Sequence, residues 1–145
     1  MAQDSDGDTS PPSLRVLEID DTFKIKTVGR PELSPDGKWV AYTVSTRNFE
    51  ENSSKTRIWM LVTEDGEPIP MTAEALSSRS PKFSRDGKKL YFLSARNGGK
   101  SQMWFLDLVH GGEAQQVTSQ ERGVNSINFS HDEKKLLLVL ERRRS

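Results

Sequence analysis

Three copies of one turn motif constrain the fold more than any other feature of this sequence. Leu33-Ser34-Pro35-Asp36-Gly37-Lys38-Trp39-Val40 is followed by Phe83-Ser84-Arg85-Asp86-Gly87-Lys88-Lys89-Leu90 and then by Phe129-Ser130-His131-Asp132-Glu133-Lys134-Lys135-Leu136. The shared pattern is apolar-Ser-x-Asp-Gly-Lys-x-apolar, and Ser34, Ser84 and Ser130 are separated by 50 and then 46 residues. A second block recurs between the turns. Ile58-Trp59-Met60-Leu61 answers to Met103-Trp104-Phe105-Leu106, and each is followed by a Gly-Glu step (Gly66-Glu67, Gly112-Glu113) and a closing Met71-Thr72 or Val117-Thr118. A fixed period of this length is the mark of a repeat architecture.

Each repeat reads as four short strands, A to D. In the first they fall near 30–33, 39–46, 56–62 and 67–72, and in the second near 80–83, 89–95, 102–108 and 113–118. The third supplies A near 126–129 and B near 135–141. The turn chemistry accounts for the A–B link: Pro35 fixes φ for the first central position, Asp36 hydrogen-bonds nearby backbone, and Gly37 takes positive φ. Glu133 stands where the glycine should be, so the third turn is expected to be strained or differently shaped.

The strands then dictate how the repeats pack. B strands are apolar on both faces, Val40, Tyr42 and Val44 on one and Trp39 and Ala41 on the other, while Leu136 to Leu140 is apolar without interruption. Such a strand is covered on both sides. Strand D of the first repeat carries Pro68 and Pro70 and so belongs at a free edge. A covered middle strand and a proline-bearing outer strand describe a propeller blade, and the period fits a four-stranded one. The expected fold is therefore all-β, a partial β-propeller of about two and a half four-stranded antiparallel blades: blade one at 30–73, blade two at 80–118 and a half blade at 126–142. An antiparallel β-sandwich is the alternative architecture. Propellers close with about 4–8 blades, so the chain is expected to be the N-terminal piece of a longer protein.

Composition excludes several functions. With 21 Lys and Arg against 21 Asp and Glu, the net charge is zero, which gives no electrostatic case for nucleic acid or an anionic membrane. There is no cysteine, hence no disulfide, thiolate metal site or cysteine nucleophile. The hydrophobic share of 33% is low for a self-sufficient globule of 145 residues. Residues 1–16 read as a disordered acidic tail without a basic or apolar signal region, and no run of about 18 apolar residues occurs; a cytoplasmic location is expected. Residues 17–29 form a lead segment in which Phe23, Ile25 and Val28 fit either a short helix started by Asp20 or a strand.

The motifs that could carry chemistry each have a plainer reading. Asp4-Ser5-Asp6-Gly7-Asp8 begins like a calcium loop but has Thr9 where the loop needs glycine and Arg15 where it needs a bidentate glutamate, and so reads as solvated tail. Asn97-Gly98-Gly99-Lys100-Ser101 ends like a phosphate loop, yet Ser94 replaces the first glycine and a strand follows instead of a helix; it is a B–C hairpin loop. His110 and His131 have no partner at metal spacing and read as exposed turn residues. Trp59 and Trp104 recur at matching positions and read as packing between blades. Arg142-Arg143-Arg144 is too short for a nucleic-acid footprint. No cofactor and no metal are expected, and no catalytic residue is assigned. The longer links, 47–55, 73–79, 96–101 and 119–125, are all B–C or D–A connections and leave the meander on one face, where a partner is expected to dock.

These residues resemble the N-terminal propeller of the prolyl oligopeptidase family, in its dipeptidyl aminopeptidase and acylaminoacyl-peptidase branch. The likeness covers about residues 16–142 and is densest in Gly29-Arg30-Pro31-Glu32-Leu33-Ser34-Pro35-Asp36-Gly37-Lys38-Trp39-Val40-Ala41-Tyr42-Thr43-Val44-Ser45, entered from Leu17-Glu18-Ile19-Asp20-Asp21-Thr22-Phe23. TolB-like propellers, which are interaction modules without an enzyme domain, use a similar turn and are the alternative. The resemblance implies a longer protein in which the propeller gates a C-terminal α/β-hydrolase domain, with peptides as substrates and a Ser-Asp-His triad on a Gly-x-Ser-x-Gly turn. No Gly-x-Ser-x-Gly occurs here, so the chain itself is not expected to hydrolyse peptides. The resemblance favours a helix in the lead segment, and it raises Glu50-Glu51 as a pair of the kind that holds a substrate amino group, although the surrounding residues match no such motif.

Overall fold

The computed structural model describes residues 24–64 and 66–142, and among these every regular element is a strand. The first sheet holds β1 (Lys24–Val28), β2 (Glu32–Leu33), β3 (Trp39–Asn48), β4 (Ser53–Val62) and β5 (Ile69–Pro70). The second is β6 (Ser78–Phe83), β7 (Lys89–Ser94), β8 (Gln102–Asp107) and β9 (Gln115–Gln116), ordered as in the chain. β10 (Val124–Phe129) and β11 (Leu136–Leu140) pair as the third. All pairings are antiparallel. These are successive blades of a partial propeller.

Burial explains why the sheets stack. Along β7 the side chains alternate between two cores. Leu90 and Phe92 join Ala41, Ile58, Met60 and Trp104 between blades one and two. Leu93 joins Met103, Val124 and Ile127 between blades two and three, with Tyr91 and Phe129 packed alongside. A strand with period-two side chains and apolar residues on both faces has no other way to bury them. β11 departs from the expected two-sided burial. Leu138 and Leu140 pack on the second core, whereas Leu137, 63% exposed, and Val139 point to a face that no described sheet covers, and Leu136, on the core side at the start of the strand, is also exposed.

Two repeated polar devices fix the blades. In each A–B turn a serine hydroxyl donates to an aspartate oxygen, at 2.6 Å for Ser34–Asp36, 2.6 Å for Ser84–Asp86 and 2.7 Å for Ser130–Asp132. The same serine oxygen accepts the N–H of the residue that opens strand B, Trp39 or Lys89, or of Lys135 just before β11, at 3.0 Å. Gly37 and Gly87 take φ of 74° and 73° there, and Glu133 is driven to 57°, which is the strain expected of a side chain in the left-handed region. At the far edge, the closing threonine of each repeat accepts from strand C: Ile58 N–H donates to Thr72 Oγ1 at 3.0 Å and Met103 N–H to Thr118 Oγ1 at 2.9 Å. A two-residue β5 containing Pro70 ends the sheet, as an outer edge allows.

Three elements differ from the sequence reading. Lys24–Val28, left open between helix and strand, is a strand, against the helix that the resemblance favoured: it pairs with Val44–Asn48 of β3 while β2 pairs with Val40 and Ala41. The inner strand of blade one is thus broken at Gly29-Arg30-Pro31, where the proline nitrogen has no proton for the ladder. Blade two has its bulge at the matching Ser80-Pro81, with Ser80 at φ 57°. The expected long link 47–55 is instead a four-residue loop, because β3 and β4 run on to ten residues each. Serine and threonine partners carry that extension, including a 2.8 Å hydrogen bond between Ser45 Oγ and Thr56 Oγ1. The stretch 1–23, with the calcium-like Asp4–Asp8 and most of the lead segment, lies outside the described residues, as do Arg143 and Arg144.

Candidate functional site

Antiparallel order sends the β3–β4, β7–β8 and blade-to-blade connections to one face, and that face holds most of the functional candidates. Its most prominent feature is the β3–β4 tip. Arg47 lies over the Phe49 ring at 5.4 Å and donates to Asn52 Oδ1 at 3.2 Å. Phe49 is 48% exposed, and Asn52 closes the turn at φ 51°. Glu50 and Glu51 project here into solvent. Glu51 is used locally, its N–H donating to Asn48 Oδ1 and its carboxylate accepting from Ser53 Oγ. No cationic group pairs with either glutamate among the described residues. The pair is a hairpin tip, open to a partner and enclosed by nothing.

The second connection, Asn97-Gly98-Gly99-Lys100-Ser101, is the hairpin loop between β7 and β8, with Gly98 at φ 78° and Asn97 Nδ2 donating to Gln116 Oε1 at 2.8 Å. No helix follows it, so it lacks the row of N–H groups that holds a phosphate. The links between blades are tied down by polar side chains that the sequence reading did not single out. Arg79 reaches from blade two to the carbonyls of Asn125 and Val124 in blade three, at 3.0 and 3.4 Å. Gln102 donates to Gln120 O at 2.7 Å, while its Oε1 accepts from Thr118 Oγ1 and Gln120 N. Each is conspicuous only once the register is known, since Arg79 and Gln102 stand in strands where nothing local marks them.

The remaining candidates serve the fold. Asp107 Oδ1 accepts the N–H groups of Val109 and His110 at 2.9 Å each, and Oδ2 meets His110 Nδ1 at 3.0 Å. These donors, the His110 N–H first, hold the Asp107 carboxyl at about 2, well below its ordinary 3.8. The result is a capped turn on the opposite face. His131 is exposed in the third A–B turn. Among the described residues no group of His, Cys, Asp and Glu converges as a metal site, and no helix is long and apolar enough to cross a membrane. The two repeated tryptophans have unlike surroundings. Trp104 is 8% exposed in the core between blades one and two, its Nε1 donating to Ser94 O at 3.1 Å. Trp59, one residue beyond Ile58 as Trp104 is beyond Met103, points away from that core and is covered by Arg57 at 5.2 Å.

Residues 22–104 match the family described as acylamino-acid-releasing enzyme, N-terminal domain. The chain belongs to that family. The match takes in all of blade one and the inner part of blade two, from β1 to Trp104. Over 126 residues the chain is 32% identical to the uncharacterized peptidase YuxL of Bacillus subtilis, covering 87% of this chain and 19% of that protein. Among solved structures it is similar to Pyrococcus horikoshii acylaminoacyl peptidase, with 27% identity and a TM-score of 0.68, over 87% of this chain and 19% of that one. A putative TolB from Agrobacterium tumefaciens shares the fold, with a TM-score of 0.60 at 23% identity over 78% of this chain and 37% of that one. This member of the acylamino-acid-releasing enzyme N-terminal domain family therefore spans about a fifth of the length of the peptidases it resembles.

Proposed function

We propose that this chain supplies the opening blades of a propeller that gates and scaffolds a serine peptidase of the acylaminoacyl-peptidase type. The observation that carries this reading is the family match over blade one and into blade two, shared with a peptidase structure of the same blade architecture. The face bearing the β3–β4 tip and the blade-to-blade links is the side that meets the α/β-hydrolase domain. Its part is exclusion: a wall of stacked sheets admits only peptides that fit past it, and the bond-breaking serine, histidine and aspartate belong to the other domain. A TolB-like interaction module is the second reading, supported by fold alone.

Reading the coding frame beyond the Ser145 codon and assaying its full product separates the two. We expect a Gly-x-Ser-x-Gly turn several hundred residues on, followed by Asp and then His, and peptide hydrolysis abolished by a serine-directed phosphonate. A frame that closes after the last blade, or a product inert toward acylated and free peptides alike, overturns the proposal in favour of the interaction module. The 145-residue chain assayed alone is expected to give no phosphonate-sensitive turnover.

A further inference from the structure

The groove between the outer halves of blades one and two contains a cation that pairs with no carboxylate among the described residues. It measures about 490 Å³ and is walled by Met71, Leu76, Trp104, Leu106 and Ala114, with Arg96 at one end. The Arg96 guanidinium lies across the rings of Phe92 and Trp104, at 4.9 and 5.2 Å, which are register partners on neighbouring strands. Nε donates to Ser94 Oγ at 3.3 Å and one Nη2 proton to Ser78 Oγ at 2.8 Å. Both acceptors are neutral, and both are held in place: Ser94 Oγ donates to Ser77 O at 2.7 Å and Ser78 Oγ to Leu76 O at 2.9 Å. A guanidinium has five N–H groups. Three therefore remain without a protein acceptor among the described residues, both of those on Nη1 and one on Nη2, the pair of nitrogens that grips a carboxylate end-on.

Charge makes this arrangement one-sided. The one carboxylate lining the groove belongs to Glu113. It lies two residues before Gln115, the register partner of Phe105, about 10 Å along the strands from the Arg96 end at ~3.3 Å per residue. No ion pair within 4.0 Å joins the two. Burial pulls the Arg96 pKa down from its ordinary value. A partly buried cation flanked by aromatic and aliphatic walls gains most from an anion that brings its own apolar surface.

We propose that this groove binds the terminal carboxylate of an apolar amino acid or short peptide, gripped by Arg96, with the adjoining side chain against Trp104, Leu106 and Met71. An α-carboxylate suits the site because it shares one carbon with its side chain, so the anion and the apolar group reach neighbouring walls together. An aspartate or glutamate side chain within a segment carries its carboxylate away from any apolar neighbour. The site uses none of the residues of the β3–β4 tip, although Arg96 and Leu76 stand in connections on the same face.

The test is a titration of the 145-residue chain, followed by the NMR signals of the Trp104 indole N–H and the Arg96 Nε–H. N-acetyl-L-leucine is expected to shift both signals saturably, with a dissociation constant of roughly millimolar order. N-acetyl-L-leucinamide, which differs only in lacking the charge, should bind at least about tenfold more weakly. Arg96→Met keeps the stem and should lose the response to N-acetyl-L-leucine while the Trp39 and Trp59 indole signals stay dispersed. Should that variant fail to fold, the acid-against-amide contrast on the unaltered chain decides alone. Equal shifts from acid and amide, an unchanged response in Arg96→Met, or no shift up to roughly 50 mM ligand overturns the proposal.

Discussion

At the scale of single residues, the A–B turn shows a backbone requirement overriding side-chain preference. Three turns of one geometry carry Gly37, Gly87 and Glu133 at the same left-handed position, and the β-carbon makes that conformation costly for glutamate. Glu133→Gly is expected to stabilise the chain by about 1 kcal/mol, read from urea unfolding, while Gly87→Ala should destabilise it by a similar amount. The aspartates of these turns define an acid limit. Ser34, Ser84 and Ser130 hydroxyls, then the lysine N–H groups two residues on, lower the carboxyls of Asp36, Asp86 and Asp132, and Asp107 reaches about 2. A carboxyl lowered by folding binds its proton more readily in the unfolded chain, so its contribution is complete above about pH 5 and fades as pH falls toward 2. Urea midpoints should hold from neutrality to about pH 5 and then drop, and Ser34→Ala with Ser84→Ala should flatten that drop. The Ser-x-Asp-Gly spacing made the turn legible in the sequence. The serine's double duty was not, because accepting the Trp39 or Lys89 N–H needs a reach across five residues that only the folded turn creates.

At the scale of strands, identical sequence positions acquire different weights from what lies beside them. Trp104 fills the core between two blades, whereas Trp59 faces the side of blade one against which no described sheet packs. Trp104→Ala is therefore expected to cost about 3–5 kcal/mol and Trp59→Ala about 1 kcal/mol in urea unfolding; equal losses would mean that the tryptophans pack alike. The sequence marked both as packing residues through recurrence, which cannot tell a buried copy from a half-covered one. Strand lengths were legible to a few residues where apolar alternation bounds them, as at Lys89–Ser94 and Gln102–Asp107. They were hidden at the β3–β4 extension, where Arg47, Asn48, Ser53, Ser54 and Lys55 look like loop composition but pair in register. Cross-strand hydroxyl contacts and a neighbouring β1 hold this ladder together, and neither leaves a periodic apolar trace. The same limit applies to Arg96, whose serine partners and aromatic bed come from three different strands and show no spacing in the chain.

At the scale of the molecule, stability is nearly one-dimensional, because each sheet buries its apolar face against the next. The described part of this stack ends on β11, which pairs with β10 alone. Leu136, Leu137 and Val139 are exposed beside that free edge. A flat apolar strand with unpaired N–H and C=O groups recruits another strand, and no proline interrupts Leu136–Leu140 to prevent it. The chain is accordingly expected to self-associate in solution, with an apparent mass in sedimentation velocity that rises with protein concentration. Leu137→Lys places a charge on the exposed face without touching Leu138 or Leu140, which hold the second core, and should return the chain to a monomer with its urea midpoint unchanged. Mutating Phe49, exposed at the β3–β4 tip, should leave association as it was, since Arg47 already covers part of that ring. If Phe49→Ser rather than Leu137→Lys dissolves the assembly, the contact lies on the face assigned to the peptidase domain, and β11 is protected by something other than a second copy of itself.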